Sequence, residues 1–242
     1  MTDKNNGKAW VVMPLYYYPL TEKTWKPLHD AISAHPDTNF LVVVNPRSGP
    51  GDYPLPGQDY VREIPRLNAF SNVCTVGYVK IDYCRRPIAE TFAEIRQYAN
   101  WATHHSGLYV EGIYVDETPN HVSAERSVYL DAVVHNPGTP PEGDLTAFGN
   151  PDLVCICEEP YHKLRSENLQ KRLEDFRIDR SRSIYQISGV PAGEVQDVAQ
   201  EMCRRGQYVF VTDLVDDFYE SFGPSWNEFV GAVNRSRCVE VK

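Results

Sequence analysis

The sequence predicts a single (β/α)8 TIM barrel, and three observations carry that reading. Eight strand-like segments alternate with helix-like ones along 242 residues, a length that barrels fill as one domain. Segments such as FLVVVNP at 40–46 and DLVCICEE at 152–159 are continuously apolar in their centres, as parallel strands covered on both faces must be. Between them lie stretches with apolar residues at helical spacing. The rival architecture is an open doubly wound sheet. It is disfavoured because no strand is followed by a G-x-G-x-x-G phosphate fingerprint; neither GLYVEG nor RSGPG has that spacing.

Taken in order, VVMPLYYYP is the first strand, closed by Pro19, and Trp25 to His35 is a helix with Trp25, Leu28 and Ile32 on one face and Pro36 as its stop. Strand two at 40–46 leads into RSGPGDYPLPGQD, too rich in Gly and Pro for regular structure and long enough to suggest a functional loop. Tyr60 to Phe70 is the second helix, although Pro65 lies within it. Residues 73–81 form strand three. Pro87 opens a helix whose inner stripe is Ile88, Phe92, Ile95 and Tyr98 or Ala99. Strand four is 108–117, followed by a helix from SAERSVYLDAVVH with Ser123 as its cap. Strand five is the short VVHNP at 133–137. Strand six at 152–159, the helical LRSENLQKRLEDF, strand seven in RSIYQISGV, a helix in AGEVQDVAQEMCRRG, strand eight in QYVFVTDL and a last helix at Trp226 to Val233 complete the count. Residues 1–8 read as a flexible tail.

There are 33 acidic and 24 basic residues, a formal charge of −9, so nucleic acid and anionic lipid are poor partners. No run of 18 apolar residues suggests membrane insertion, and no export signal opens the chain, which as written reads as cytoplasmic; a mature secreted form would read the same. The six cysteines read as buried thiols, not staples. Cys155 and Cys157 fall on one strand face, without the second ligand pair of a zinc site. His104 and His105 read as surface residues with no H-E-x-x-H pattern, and no G-x-S-x-G context points to a serine nucleophile. No metal or cofactor is expected.

Barrel chemistry collects at the carboxyl ends of the strands. Those ends carry Tyr16, Tyr17 and Tyr18; Asn45; Lys80, Asp82 and Tyr83; Asp116 and Glu117; Asn136; Glu158 and Glu159; Ser188; Thr212 and Asp213. Carboxylates, amides and tyrosines suit a carbohydrate, with rings for sugar faces and polar groups for hydroxyls. Glycosidic cleavage needs two carboxyl groups, one protonated and one ionised. Asp116 or Glu117 facing Glu158 would supply them. Strand parity lets only one of Asp116 and Glu117, and one of Glu158 and Glu159, point inward, and leaves open which.

The stretches MPLYYYPLTEKTWKPLHDAISAHPDTNFLVVVNPRSGPG, GYVKIDYCRRP, GIYVDETP, HNPGT and DLVCICEEPY resemble the spherulation-specific family 4 (spherulin-4-like) proteins over residues 11–235. The resemblance implies a (β/α)8 fold and a relation to glycoside hydrolase family 135, whose fungal members are endo-α-1,4-N-acetylgalactosaminidases acting on galactosaminogalactan. It further implies catalytic roles for Asp116, Glu117 and Glu158, with Glu159 standing where a polar or small residue is expected. On that basis Asp116 is assigned as nucleophile or base, Glu158 as acid, and Glu117 as a sugar-orienting group or an alternate to Asp116. Tyr16, Tyr18, Asn45, Lys80, Asp82 and Asn136 are the expected substrate-binding wall. The hydrolases of that family are secreted or membrane-anchored, a departure from the cytoplasmic reading. The alternative function is a non-catalytic sugar-binding or structural barrel, which predicts acids tied up in salt bridges or a rim closed by residues 47–59. An oligosaccharide or polysaccharide is the expected partner under the hydrolase and sugar-binding readings.

Overall fold

The computed structural model describes residues 7–121, 134–142 and 151–236. Within them eight parallel strands close into a barrel in sequence order: β1 (Trp10–Leu15), β2 (Phe40–Val44), β3 (Val73–Lys80), β4 (Gly112–Asp116), β5 (Val134–Asn136), β6 (Leu153–Pro160), β7 (Ser183–Ser188) and β8 (Tyr208–Val211). Closure comes from β1 pairing with β8, Trp10 opposite Tyr208 and Val11 opposite Val209. Every residue of β1 and β2 is buried, which accounts for their unbroken apolar sequence. No helix among the described residues is long and apolar enough to cross a membrane.

The helices that wrap the strands are α1 (Lys26–Ala34), α2 (Gln58–Asn68), α3 (Ile88–His104), the short α4 (Tyr161–Leu164), α5 (Glu167–Asp175), α6 (Val195–Arg205) and α7 (Trp226–Asn234). α2 runs through Pro65 without breaking. The stretch expected as one helix at 164–176 is divided, and Ser166 caps α5 by accepting the Leu169 N–H. β4 begins at Gly112, four residues later than expected. The helix expected at 123–135 falls mostly outside the described residues, as do most of the expected tail and Cys238.

The inner stripe of α3 differs from the expected one. Thr91, Tyr98 and Trp101 are buried, whereas Phe92 is exposed. The physical reason lies in β3. Gly77 has no side chain, and the Tyr98 ring fills the space so closely that an added Cβ would sit 2.7 Å from it. Tyr98 also donates its hydroxyl to the Tyr78 carbonyl at 2.9 Å. That contact sets the rotation of the helix and anchors the strand whose inward face carries Tyr78. Gly77→Ala is therefore expected to destabilise the barrel by about 1–3 kcal/mol through overpacking, measured as a shift in the denaturant midpoint at unchanged m-value.

Candidate active site

Contacts between strands that are not neighbours must pass through the barrel interior, and they identify the inward faces. Gln186 on β7 donates to the Tyr114 hydroxyl on β4 at 3.0 Å, and the rings of Tyr16 and Tyr78 meet edge to face with centroids 5.4 Å apart. Tyr114 and Tyr78 are thus inward. So is Asp116, two residues after Tyr114 on a regular strand. Glu117 comes after the strand has ended, with a left-handed φ of 52°, and its carboxylate turns aside to Lys80 Nζ at 2.9 Å. The parity left open by sequence resolves to Asp116.

Glu158 reaches the interior by a different route. Leu153 and Cys155 share the inward parity, so a regular β6 would send Cys157 and Glu159 inward. Opposite β7, however, Cys155 pairs with Ile184 and Cys157 with Tyr185, leaving Ile156 as an extra residue. This bulge reverses the parity, so that Glu158 pairs with Gln186 and points inward. Glu159 instead meets Lys163 at 3.1 Å. The same bulge corrects the expectation that Cys155 and Cys157 share a face. Cys155 Sγ accepts from Gln186 inside the barrel, while Cys157 faces the surroundings of Tyr185 and Arg205. Cys74, Cys155, Cys157 and Cys203 are buried thiols, as expected, whereas Cys84 is only half-buried, in the turn after β3.

At the mouth, one side-chain amide joins the two inward acids. Asn136, at the end of β5, donates one N–H to Asp116 Oδ1 at 2.8 Å and the other to Glu158 Oε2 at 2.5 Å. Its own Oδ1 accepts from the Gly138 N–H at 3.0 Å, which fixes the orientation of the amide. The two donated bonds cap the separation of those carboxyl oxygens at 5.3 Å, the sum of 2.8 Å and 2.5 Å. The outer oxygens are held by tyrosines: Tyr78 donates to Asp116 Oδ2 at 2.7 Å and Tyr219 to Glu158 Oε1 at 2.6 Å. The Tyr16 ring packs edge-on against both Tyr78 and Tyr219.

Burial raises both carboxyl groups above their ordinary titration range, against the opposing pull of these hydrogen bonds. For Glu158 the charge of Asp116 adds to that push. Burial and mutual repulsion disfavour the state in which both carboxyls are charged. Neither carries a salt bridge among the described residues, whereas Glu117 and Glu159 both do. Beside Glu158 a recess of about 300 Å³ is lined by Gln186, Ser188, Phe210, Val215, Phe218 and Tyr219, among others.

The other expected wall residues are less concentrated. Tyr16 and Asn136 belong to the centre just described. Lys80 and Asp82 line a second recess with Ser48, Arg86 and Glu94, and Asp82 is also paired with Arg85 at 2.7 Å. Tyr18 donates to Asp59 at 2.8 Å, and Asn45 Oδ1 accepts the Gly49 N–H at 3.0 Å, so both side chains serve the loops beside them. Tyr78 and Tyr219 were absent from the expected set. Tyr78 shares the inward parity of Lys80 and was readable once that parity was known; Tyr219 lies well beyond β8, where the sequence gives no sign of its direction.

The family model described as spherulation-specific family 4 matches residues 10–133 and 128–233. Among solved structures, the crystal structure of Aspergillus clavatus Sph3 in complex with GalNAc is similar, with 34% sequence identity and a TM-score of 0.86 over 94% of this chain and 98% of that one. No curated protein matches. These similarities support a sugar-binding or hydrolase-like function for the barrel.

A buried acid with a raised pKa stabilises the fold below its unfolded-state pKa and loses that contribution as pH rises through its folded value. Glu158→Gln should accordingly raise Tm by about 2–4 °C at pH 7. The gain should vanish below about pH 4, where the Glu158 carboxyl is neutral in the unfolded as well as the folded protein. Thermal melts across that pH range check it.

Proposed function

The chain belongs to spherulation-specific family 4, and we propose that it is a glycoside hydrolase acting within polysaccharides that contain α-1,4-linked N-acetylgalactosamine or galactosamine. The observation that carries this reading is the Asn136-bridged carboxyl pair. Its nearest oxygens are held at most 5.3 Å apart by the shared amide, and we take the pair to act with retention, the route that uses two closely spaced carboxyls.

In this mechanism Asp116, ionised, attacks the anomeric carbon while Glu158 donates its proton to the departing glycosidic oxygen. The C–O bond breaks as the Asp116–sugar bond forms, and Glu158 is left ionised. It then takes a proton from water, whose oxygen displaces Asp116 from the sugar and restores both groups. Tyr78 and Asn136 hold the attacking carboxylate in place, and Tyr219 and Asn136 stabilise Glu158 while it is charged. The Lys80–Glu117 pair, partly exposed beside Asp116, offers a donor and an acceptor to sugar hydroxyls. The non-catalytic alternative expects the central acids to be neutralised by salt bridges; among the described residues such pairs fall on Glu117 and Glu159, leaving Asp116 and Glu158 available.

The test is release of reducing ends from α-linked N-acetylgalactosamine and galactosamine oligosaccharides. Asp116→Asn and Glu158→Gln should each lower kcat by about a thousandfold or more while the protein remains folded. Cleavage unaffected by either substitution would reject the assignment, and binding without cleavage by the native protein would move the function to recognition. Proton NMR of the first-formed product should show the α anomer, as retention requires.

A further inference from the structure

Directly after β3 the backbone does something unusual. Asp82, Tyr83 and Cys84 have φ values of 47°, 52° and 65°, three consecutive non-glycine residues in the left-handed region. That region is costly for L residues and is rare for a bulky aromatic one. The turn is held in place by backbone bonds to β4 and its end: Ile81 N–H to the Asp116 carbonyl at 3.1 Å and Tyr83 N–H to the Glu117 carbonyl at 2.8 Å. It thus extends the β3–β4 ladder past the Lys80–Asp116 rung, at the rim of the mouth. Arg85 folds back to Asp82 and lies with its guanidinium carbon 5.7 Å from the centre of the Tyr83 ring.

The ring gains no burial from this arrangement, since Tyr83 remains 46% exposed. Core packing therefore does not account for a tyrosine at a position that glycine or asparagine would occupy at lower cost. The turn instead borders the polar recess formed by Ser48, Lys80, Asp82, Arg86 and Glu94, which adjoins the Lys80–Glu117 pair next to Asp116. Exposed tyrosine rings present flat apolar faces of the kind that pack against sugar rings, while the recess supplies hydroxyl partners.

We infer that Tyr83 is an aromatic platform for a second sugar unit, adjacent to the one held by Asp116 and Glu158, so that the site binds a run of linked sugars. This rests on the hydrolase reading and extends it to the binding of longer chains. KM is compared for short and long α-linked galactosamine and N-acetylgalactosamine oligosaccharides in the native protein, Tyr83→Trp and Tyr83→Gly, with Tm measured alongside. The native protein and Tyr83→Trp should favour long chains. In Tyr83→Gly that preference should shrink about five- to tenfold, with Tm unchanged or higher because glycine accepts the left-handed turn. A preference that persists in Tyr83→Gly, or is lost only together with Tm, would overturn the assignment and leave the hydrolase reading standing. Absence of both binding and cleavage by the native protein would remove both.

Discussion

Two carboxyl groups buried side by side repel one another when both are charged, and burial leaves that repulsion less screened than it would be at the surface. In this chain the side-chain amide of Asn136 stands between them, giving one N–H to each. The amide cannot rotate away, because its oxygen is engaged by the Gly138 N–H. The spacing of the acids and the availability of the other carboxyl oxygens to Tyr78 and Tyr219 both depend on that clamp. Remove the amide, and the lowest-energy response is for the acids to separate or for both to take up protons.

The clamp works only because three neighbouring strands bring their ends to the same level with the right parity. β4 and β5 do so by regular alternation, with Asp116 opposite Asn136. β6 does so by means of one extra residue, Ile156, which turns Glu158 inward and sends Glu159 out to Lys163. The bulge sacrifices regular pairing in the middle of a barrel strand, a local cost of the kind found where a side chain must be re-aimed. The Gly77–Tyr98 contact outside the barrel plays a quieter part, fixing the strand that delivers Tyr78.

How much of this could be read from sequence follows the same physics. Strand order and the rim positions of Asp116, Asn136 and Glu158 were legible, because continuous apolar runs mark parallel strands and barrel sites gather at their carboxyl ends. Direction was not. Alternation says that Asp116 and Glu117 part company but is symmetric about which goes inward, and a bulge changes neither composition nor hydrophobicity. That is why Cys155 and Cys157 were expected on one face. Tyr18, Asn45 and Asp82 sit at the rim as expected, yet their side chains are taken by Asp59, Gly49 and Arg85, short-range partners that position alone does not reveal. Phe92 appeared to belong to an apolar stripe until the missing side chain at Gly77 rotated the helix toward Tyr98.

If Asp116 and Glu158 act as the catalytic acid and base, they must titrate as a coupled pair that holds one proton between them. The direct measurement is a carbon-13 NMR titration of the side-chain carboxyls in labelled protein, with each resonance assigned by its Asn or Gln substitution. Two separate steps are expected, Asp116 ionising first and Glu158 remaining protonated above the ordinary glutamate range, with Glu158 moving down when Asp116 is replaced by Asn. Two independent titrations in the ordinary carboxylate range, each indifferent to loss of the other, would contradict it.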